Sequence, residues 1–234
     1  MDVTDTTEAA EAAEAAGNAD AGAVMLISDP RVQGVEVREC AEPLVDLRGA
    51  LRVDGRRGDP RGDYALTREG VRDRLVQADR ALPAGVSLLI IEAYRPASLQ
   101  THIFDGYRNT LQAADPGLSL AEAERLASRY VAPLSTAPHV CGAAIDLTLV
   151  DASGEELDLG CPEGATPEES DGACYTASPR ISARARENRA MLAEALGSAG
   201  MVNYATEWWH WSYGDRYWAQ LTGSPYAVYG PPVR

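Results

Sequence analysis

The sequence predicts one domain that mixes helices with strands, on three observations. Its 234 residues fit one domain, or one domain with a tail, and suffice for a full hydrophobic core. Two segments space their apolar residues at the helical period, and two more read as helices. Others carry the short β-branched run or the alternation of a strand.

Taken in order, residues 1–24 hold six acids, no base and the run EAAEAAEAAGNADAGA. Ala and Glu favour helix, but this run has no large apolar side chain to anchor one, so a disordered acidic tail is expected before a domain at 25–234. VMLIS (24–28) reads as a first strand, Asp29-Pro30 as a turn and GVEVR (34–38) as a half-buried strand. The Gly-, Arg- and Asp-rich stretch 49–63 reads as a loop. Val71, Leu75, Ala78 and Leu82 share a face of a helix over 67–82, with Thr67 as its N-cap. VSLLIIEAY (86–94) is the buried central strand, stopped by Pro96. Leu99, Ile103, Tyr107 and Leu111 align on a helix over 98–111. Ser119 and Glu122 form a capping box for a helix over 119–130. After a loop (131–138), Ile145, Leu147 and Leu149 face one side of a strand and Asp146 and Thr148 the other. Residues 151–179 make a long acidic loop, a length that is usually functional or mobile. A fourth helix spans 181–196.

Charge narrows the function. There are 35 acids and 21 bases, all of the bases Arg, for a net charge of -14. Nucleic acid and anionic membranes are thereby disfavoured as partners. Seven acids precede Arg31 and eight lie between Asp151 and Asp171, so the remainder is near neutral. The loop's negative field can draw a substrate's ammonium group. No apolar run approaches the ~20 residues of a membrane span. No basic, then apolar, leader opens the chain, so a cytoplasmic protein is expected. The four cysteines form no C-x-x-C pair and are expected to be reduced.

Only three histidines occur, so their positions are informative. His139 lies seven residues before Asp146, and His210 ends Glu207-Trp208-Trp209-His210. Two imidazoles and a carboxylate make a catalytic zinc set with one position left to water. Such a metal lowers the pKa of its water toward ~7 and polarises a carbonyl. Glu207, three residues before His210, is placed to act on that water as general base. Gly142 must break the strand, since seven residues along a straight strand put His139 and Asp146 on opposite faces. Arg95, just off the end of a core strand, suits a carboxylate or a developing oxyanion. His102 has no carboxylate partner pattern and reads as a surface or packing residue.

These residues resemble the zinc D-alanyl-D-alanine dipeptidases of the vancomycin-resistance type, within the wider D-Ala-D-Ala carboxypeptidase and hedgehog-like group. The family pattern S-x-H-x-x-G-x-A-x-D, E-x-W-H and Y-R-P appears here as 137–146, 207–210 and Tyr94-Arg95-Pro96. The likeness also covers 29–32, 43–48, 146–149 and 157–160, in order. It implies an α+β fold, a mainly antiparallel central sheet flanked by helices. It implies one Zn2+ per chain on His139, Asp146 and His210, with Glu207 as general base and acid and Arg95 stabilising the transition state. The implied activity is hydrolysis of the small dipeptide D-alanyl-D-alanine in the cytoplasm, which removes the peptidoglycan terminus that glycopeptides bind. The family Ser two residues before the first ligand is Ala137 here. Ser135 and Thr136 are the neighbouring hydroxyls, and with Tyr94, Asp158 and Trp209 they are the substrate-binding candidates. Two rivals stay open. One keeps the metal but acts as a D,D- or L,D-carboxypeptidase on peptidoglycan stem peptides, or as a dipeptidase of other specificity. The other is a non-catalytic zinc-binding module, whose closed site would take Cys141 as a fourth ligand. The oligomeric state is left open.

Overall fold

A five-stranded sheet carries the site on the edge of its hydrophobic core. A computed structural model describes residues 24–232; the expected acidic tail lies outside the described residues but for Val24. The helices are α1 (Pro30–Gln33), α2 (Glu69–Ala81), α3 (Ala97–Ala114), α4 (Leu120–Ala127), α5 (Ala183–Ser198) and α6 (Arg216–Thr222). The strands are β1 (Leu44–Asp46), β2 (Arg52–Val53), β3 (Leu66–Arg68), β4 (Ser87–Glu92), β5 (Ala144–Val150), β6 (Val202–Asn203) and β7 (His210–Ser212). The main sheet runs β2-β4-β5-β7-β6, and β1 pairs with β3 apart from it. β2–β4 is parallel and every other pairing is antiparallel, as the α+β expectation required. No described helix is long and apolar enough to cross a membrane.

One face of the sheet is covered by α2 and α5. Val71, Leu75 and Ala78 of α2 and Leu192, Ala195 and Leu196 of α5 pack on Leu88, Ile90, Ile145, Leu147 and Leu149. β5 is buried on both faces, and its second face carries Asp146 and Thr148. That face becomes the floor of the site.

Several local expectations need correction. Residues 24–28 form no strand. Ile27 instead joins Val32, Tyr204 and Tyr217 in a small apolar cluster. Asp29-Pro30 is a helix start: Asp29 accepts from the Arg31 amide and Pro30 pre-sets the first turn of α1. GVEVR contributes only a bridge from Val37 to Ala227. Loop 49–63 contains the short strand β2. Thr67 does not cap α2, because it lies in β3 and its hydroxyl donates to the Gly142 carbonyl. The strand 86–94 is interior but second in order, and β5 is central. On α3 the expected apolar stripe is not a core face: only Gln100 is buried and Leu99 is 42% exposed. Ser119 caps α4 by accepting from the Glu122 amide, the first half of the expected capping box. All four cysteines are free.

Candidate metal centre and active site

The turn before β5 sets the first ligand. Pro138 opens a 3-10 helix over Pro138–Cys141, and Gly142 ends it with φ +65. The left-handed backbone favours glycine there, and a Cβ would also push the tip of the Leu44 side chain aside. This is the strand break that the His139–Asp146 spacing required. The Gly142 carbonyl accepts from the Arg68 amide at 3.0 Å and the Thr67 hydroxyl at 2.9 Å. His139 Nδ1 lies 2.6 Å from the Ala93 carbonyl. A carbonyl can only accept, so Nδ1 carries the proton and Nε2 is left with its lone pair facing the site.

β5 and β7 supply the other two. Their register sets Asp146 opposite His210. His210 Nδ1 is 3.0 Å from Asp146 Oδ1, and His139 Nε2 is 3.4 Å from Asp146 Oδ2. The two ring nitrogens are 3.2 Å apart. The three residues are buried and their donor atoms lie within 4.8 Å of one another. Burial, the largest influence on His210, favours its neutral form, the form with a lone pair to give. Burial opposes the charge on Asp146, but attraction to and hydrogen bonds from the two imidazoles when they carry their protons outweigh it and hold the carboxyl far below the usual range; a divalent cation between them would take over that part. Two imidazole nitrogens and a carboxylate converging on one point fit a divalent cation of the zinc kind.

Glu207 and Arg95 flank that point. A turn returns the chain from Tyr204 to His210, with the Glu207 amide donating to the Tyr204 carbonyl. Asn203 Nδ2 clamps the turn by donating to the carbonyls of Glu207 at 3.0 Å and His210 at 2.9 Å. Glu207 Oε2 stands 3.8 Å from His210 Nδ1. Burial, then the Asp146 charge, push the Glu207 carboxyl well above the usual range, which suits a group that both takes and gives a proton. Arg95 donates twice to Glu92 at 2.7 Å and once to Gln100 Oε1 at 2.8 Å. Gln100 in turn donates to the Ala132 carbonyl at 2.6 Å. Burial works against the Glu92 charge, and Arg95 outweighs it and holds the carboxyl below its ordinary range.

His139, Asp146, His210, Glu207, Arg95 and Trp209 all border one cavity of about 130 Å³. Ala137, at the family Ser position, borders it too. The remaining substrate-binding candidates do not. Ser135 is exposed, the Thr136 hydroxyl turns back to the Pro133 carbonyl and Tyr94 is buried off the cavity. Asp158 accepts from the Ser182 hydroxyl and the Gly160 amide, holding the loop to the start of α5. Residues the sequence reading did not single out are Glu92, Gln100, Asn203, Arg57 and Glu163. Of these, only Glu92 carries a local signal, three residues before Arg95. Cys141 is not among the converging donors; its Sγ turns to the Ala137 carbonyl at 3.8 Å. Burial pushes its thiol up to about 12, unlike a thiolate ligand.

The chain is similar to several known proteins. The peptidase M15 family, described as D-Ala-D-Ala dipeptidase, matches residues 50–226. A D-alanyl-D-alanine dipeptidase of Synechocystis sp. is 29% identical over 216 residues, 79% of this chain and 87% of that one. A D-alanyl-D-alanine dipeptidase of Escherichia coli is 30% identical over 128 residues, 54% of this chain and 55% of that one. Among solved structures, an LD-carboxypeptidase, LdcB, superimposes with a TM-score of 0.44 at 20% identity, covering 79% of this chain and 76% of that one.

Proposed function

The chain belongs to the peptidase M15 family, and on that footing we propose that it is a zinc-dependent dipeptidase that hydrolyses D-alanyl-D-alanine. The observation that carries the reading is the meeting of His139, Asp146 and His210 with Glu207 and Arg95 around one small cavity. His139 Nε2, His210 Nδ1 and the Asp146 carboxylate would hold the ion. Bound zinc supplies a Lewis acid and an acidified water. Glu207 takes a proton from the attacking water as the new C–O bond forms at the peptide carbonyl. As the C–N bond breaks, Glu207 delivers that proton to the leaving amine. Arg95 donates to the carbonyl oxygen as negative charge gathers there.

The small cavity supports a short substrate over a stem-peptide chain. A closed, non-catalytic site is disfavoured because Cys141 stays apart from the donors. Cytoplasmic action on the free dipeptide is the setting this reading assigns. The test is turnover of D,D-, L,D- and L,L-dipeptides by metal-quantified protein. D-alanyl-D-alanine should be cleaved, activity should vanish on chelation, and one zinc per chain should restore it. A protein holding one zinc that cleaves no dipeptide would sink the proposal.

Glu92 gives a second test. Both oxygens of its carboxylate accept from Arg95 and fix the plane of the guanidinium. Glu92→Gln keeps the volume but offers one acceptor where two were used. Turnover should fall about 10²-fold, the scale of a slightly misplaced catalytic group. Zinc content should be unchanged. Equal turnover in the variant would show that Arg95 is positioned by other means.

A further inference from the structure

The long acidic loop sends one side chain to the cavity. Glu163 is 4% exposed at its side chain and pairs at 2.9 Å with Arg57, whose side chain is 46% exposed. Both border the cavity, although 106 residues separate them. The other charges there are committed. Glu92 and Arg95 hold each other, Asp146 faces the two imidazoles and Glu207 is the proton carrier. The Arg57–Glu163 pair borders the same cavity and takes no part in the ligand set or in the Arg95–Glu92 pair, so its two ends are free to exchange partners with a ligand that is itself a zwitterion.

We propose that the Arg57–Glu163 pair opens to admit a zwitterionic dipeptide, Arg57 moving to the substrate carboxylate while Glu163 keeps its place and takes the ammonium. This rests on the dipeptidase reading. Arg57 is the partner with freedom to move, since nearly half of its side chain faces solvent. Ala137 offers the substrate carboxylate no hydroxyl, and Arg57 does offer it a paired donor. The exchange leaves no buried charge unpaired, which is the costly outcome in a water-poor site. An N-acylated substrate strands Glu163 once Arg57 leaves. An amidated one gives Arg57 nothing to leave for, and its ammonium must compete with the guanidinium. The site therefore selects peptides whose two free ends lie one dipeptide apart.

Calorimetric binding to zinc-loaded Glu207→Gln protein tests this without turnover. The ligands are D-alanyl-D-alanine, its N-acetyl form and its C-terminal amide. The free dipeptide should bind about tenfold or more tighter than either capped form. Adding Arg57→Gln should shrink the preference over the amide to about threefold or less, the scale of an exposed charge contact. Adding Glu163→Gln should shrink the preference over the N-acetyl form instead. Arg57→Lys, which keeps the charge, should retain the preference over the amide. Preferences that survive both neutral variants, or equal weakening of all three ligands, overturn the exchange. So does loss of the amide preference in Arg57→Lys. Hydrolysis of D-alanyl-D-alanine by the protein with Glu207 intact is measured in parallel. Hydrolysis together with unchanged preferences overturns the exchange alone, whereas no hydrolysis overturns the dipeptidase reading and the exchange with it.

Discussion

Glu207→Gln should lower turnover of D-alanyl-D-alanine by about 10³-fold, within the 10²–10⁴ range of a positioned proton carrier, while one zinc per chain remains bound. The side chain is buried beside the ligand set, 3.8 Å from His210 Nδ1, but is not one of the three converging donors. Gln has nearly the same shape and cannot accept the water's proton. The fold should not suffer. Burial and the Asp146 charge already push Glu207 toward its protonated form, and a neutral amide resembles that form. The melting temperature should therefore stay level or rise. Steady-state kcat, metal analysis and a thermal melt on one preparation check all three statements. Turnover at the wild-type rate removes Glu207 from the mechanism. Lost zinc would instead make it a ligand.

The candidate ligands were legible because each lies in a short local pattern. Gly142 had to break the strand for His139 and Asp146 to meet, and it does so in a left-handed conformation that strains any other residue. Glu207 and His210 are three residues apart, and a single turn brings both to the cavity. The inner strands were legible for a similar reason, β4 as an unbroken apolar run and β5 by its alternation, and α2 by its helical period. β2 and β6 have two residues and β7 has three, too few for any period to appear. Met25, Leu26 and Ile27 pack as coil in the cluster of Val32, Tyr204 and Tyr217, and composition alone does not separate that from a strand.

Glu92 shows where period-two reasoning fails. Simple alternation puts it on the core face with Leu88 and Ile90. The register shifts between Ile90 and Glu92: Ile90 lies opposite Leu147, yet Glu92 lies opposite Asp146. One extra residue on β4 turns Glu92 onto the face of the metal ligand. The Arg57–Glu163 pair was illegible for a different reason, since the contact joins two loops and leaves no pattern in either. Asp158 lies in a stretch shared with the family but is used here to hold Ser182 at the cap of α5.

Arg68→Met should be the most damaging change outside the metal set. The guanidinium is 2% exposed at its side chain and tied to three separate parts of the chain. It donates to the Cys141 carbonyl at 2.8 Å, to the Glu42 carbonyl, to the Gly230 carbonyl at 2.7 Å and to Glu39 at 3.1 Å. Met fills most of the volume but leaves these acceptors without donors. Breaking a buried charged network from one side costs about 3–5 kcal/mol. At roughly 2–4 °C per kcal/mol for a chain of this size, the melting temperature should fall by about 10 °C. Arg68→Lys should recover only part, because one ammonium cannot span acceptors that a planar fork reaches. The effect should also be larger with zinc present than with chelator. Arg68 grips the turn that carries His139, so the variant should bind zinc more weakly and lose part of the stabilisation that binding to the folded state confers. Melts within about 2 °C of wild type in both conditions would be far below the buried-network cost, and would show that water replaces the guanidinium at little cost.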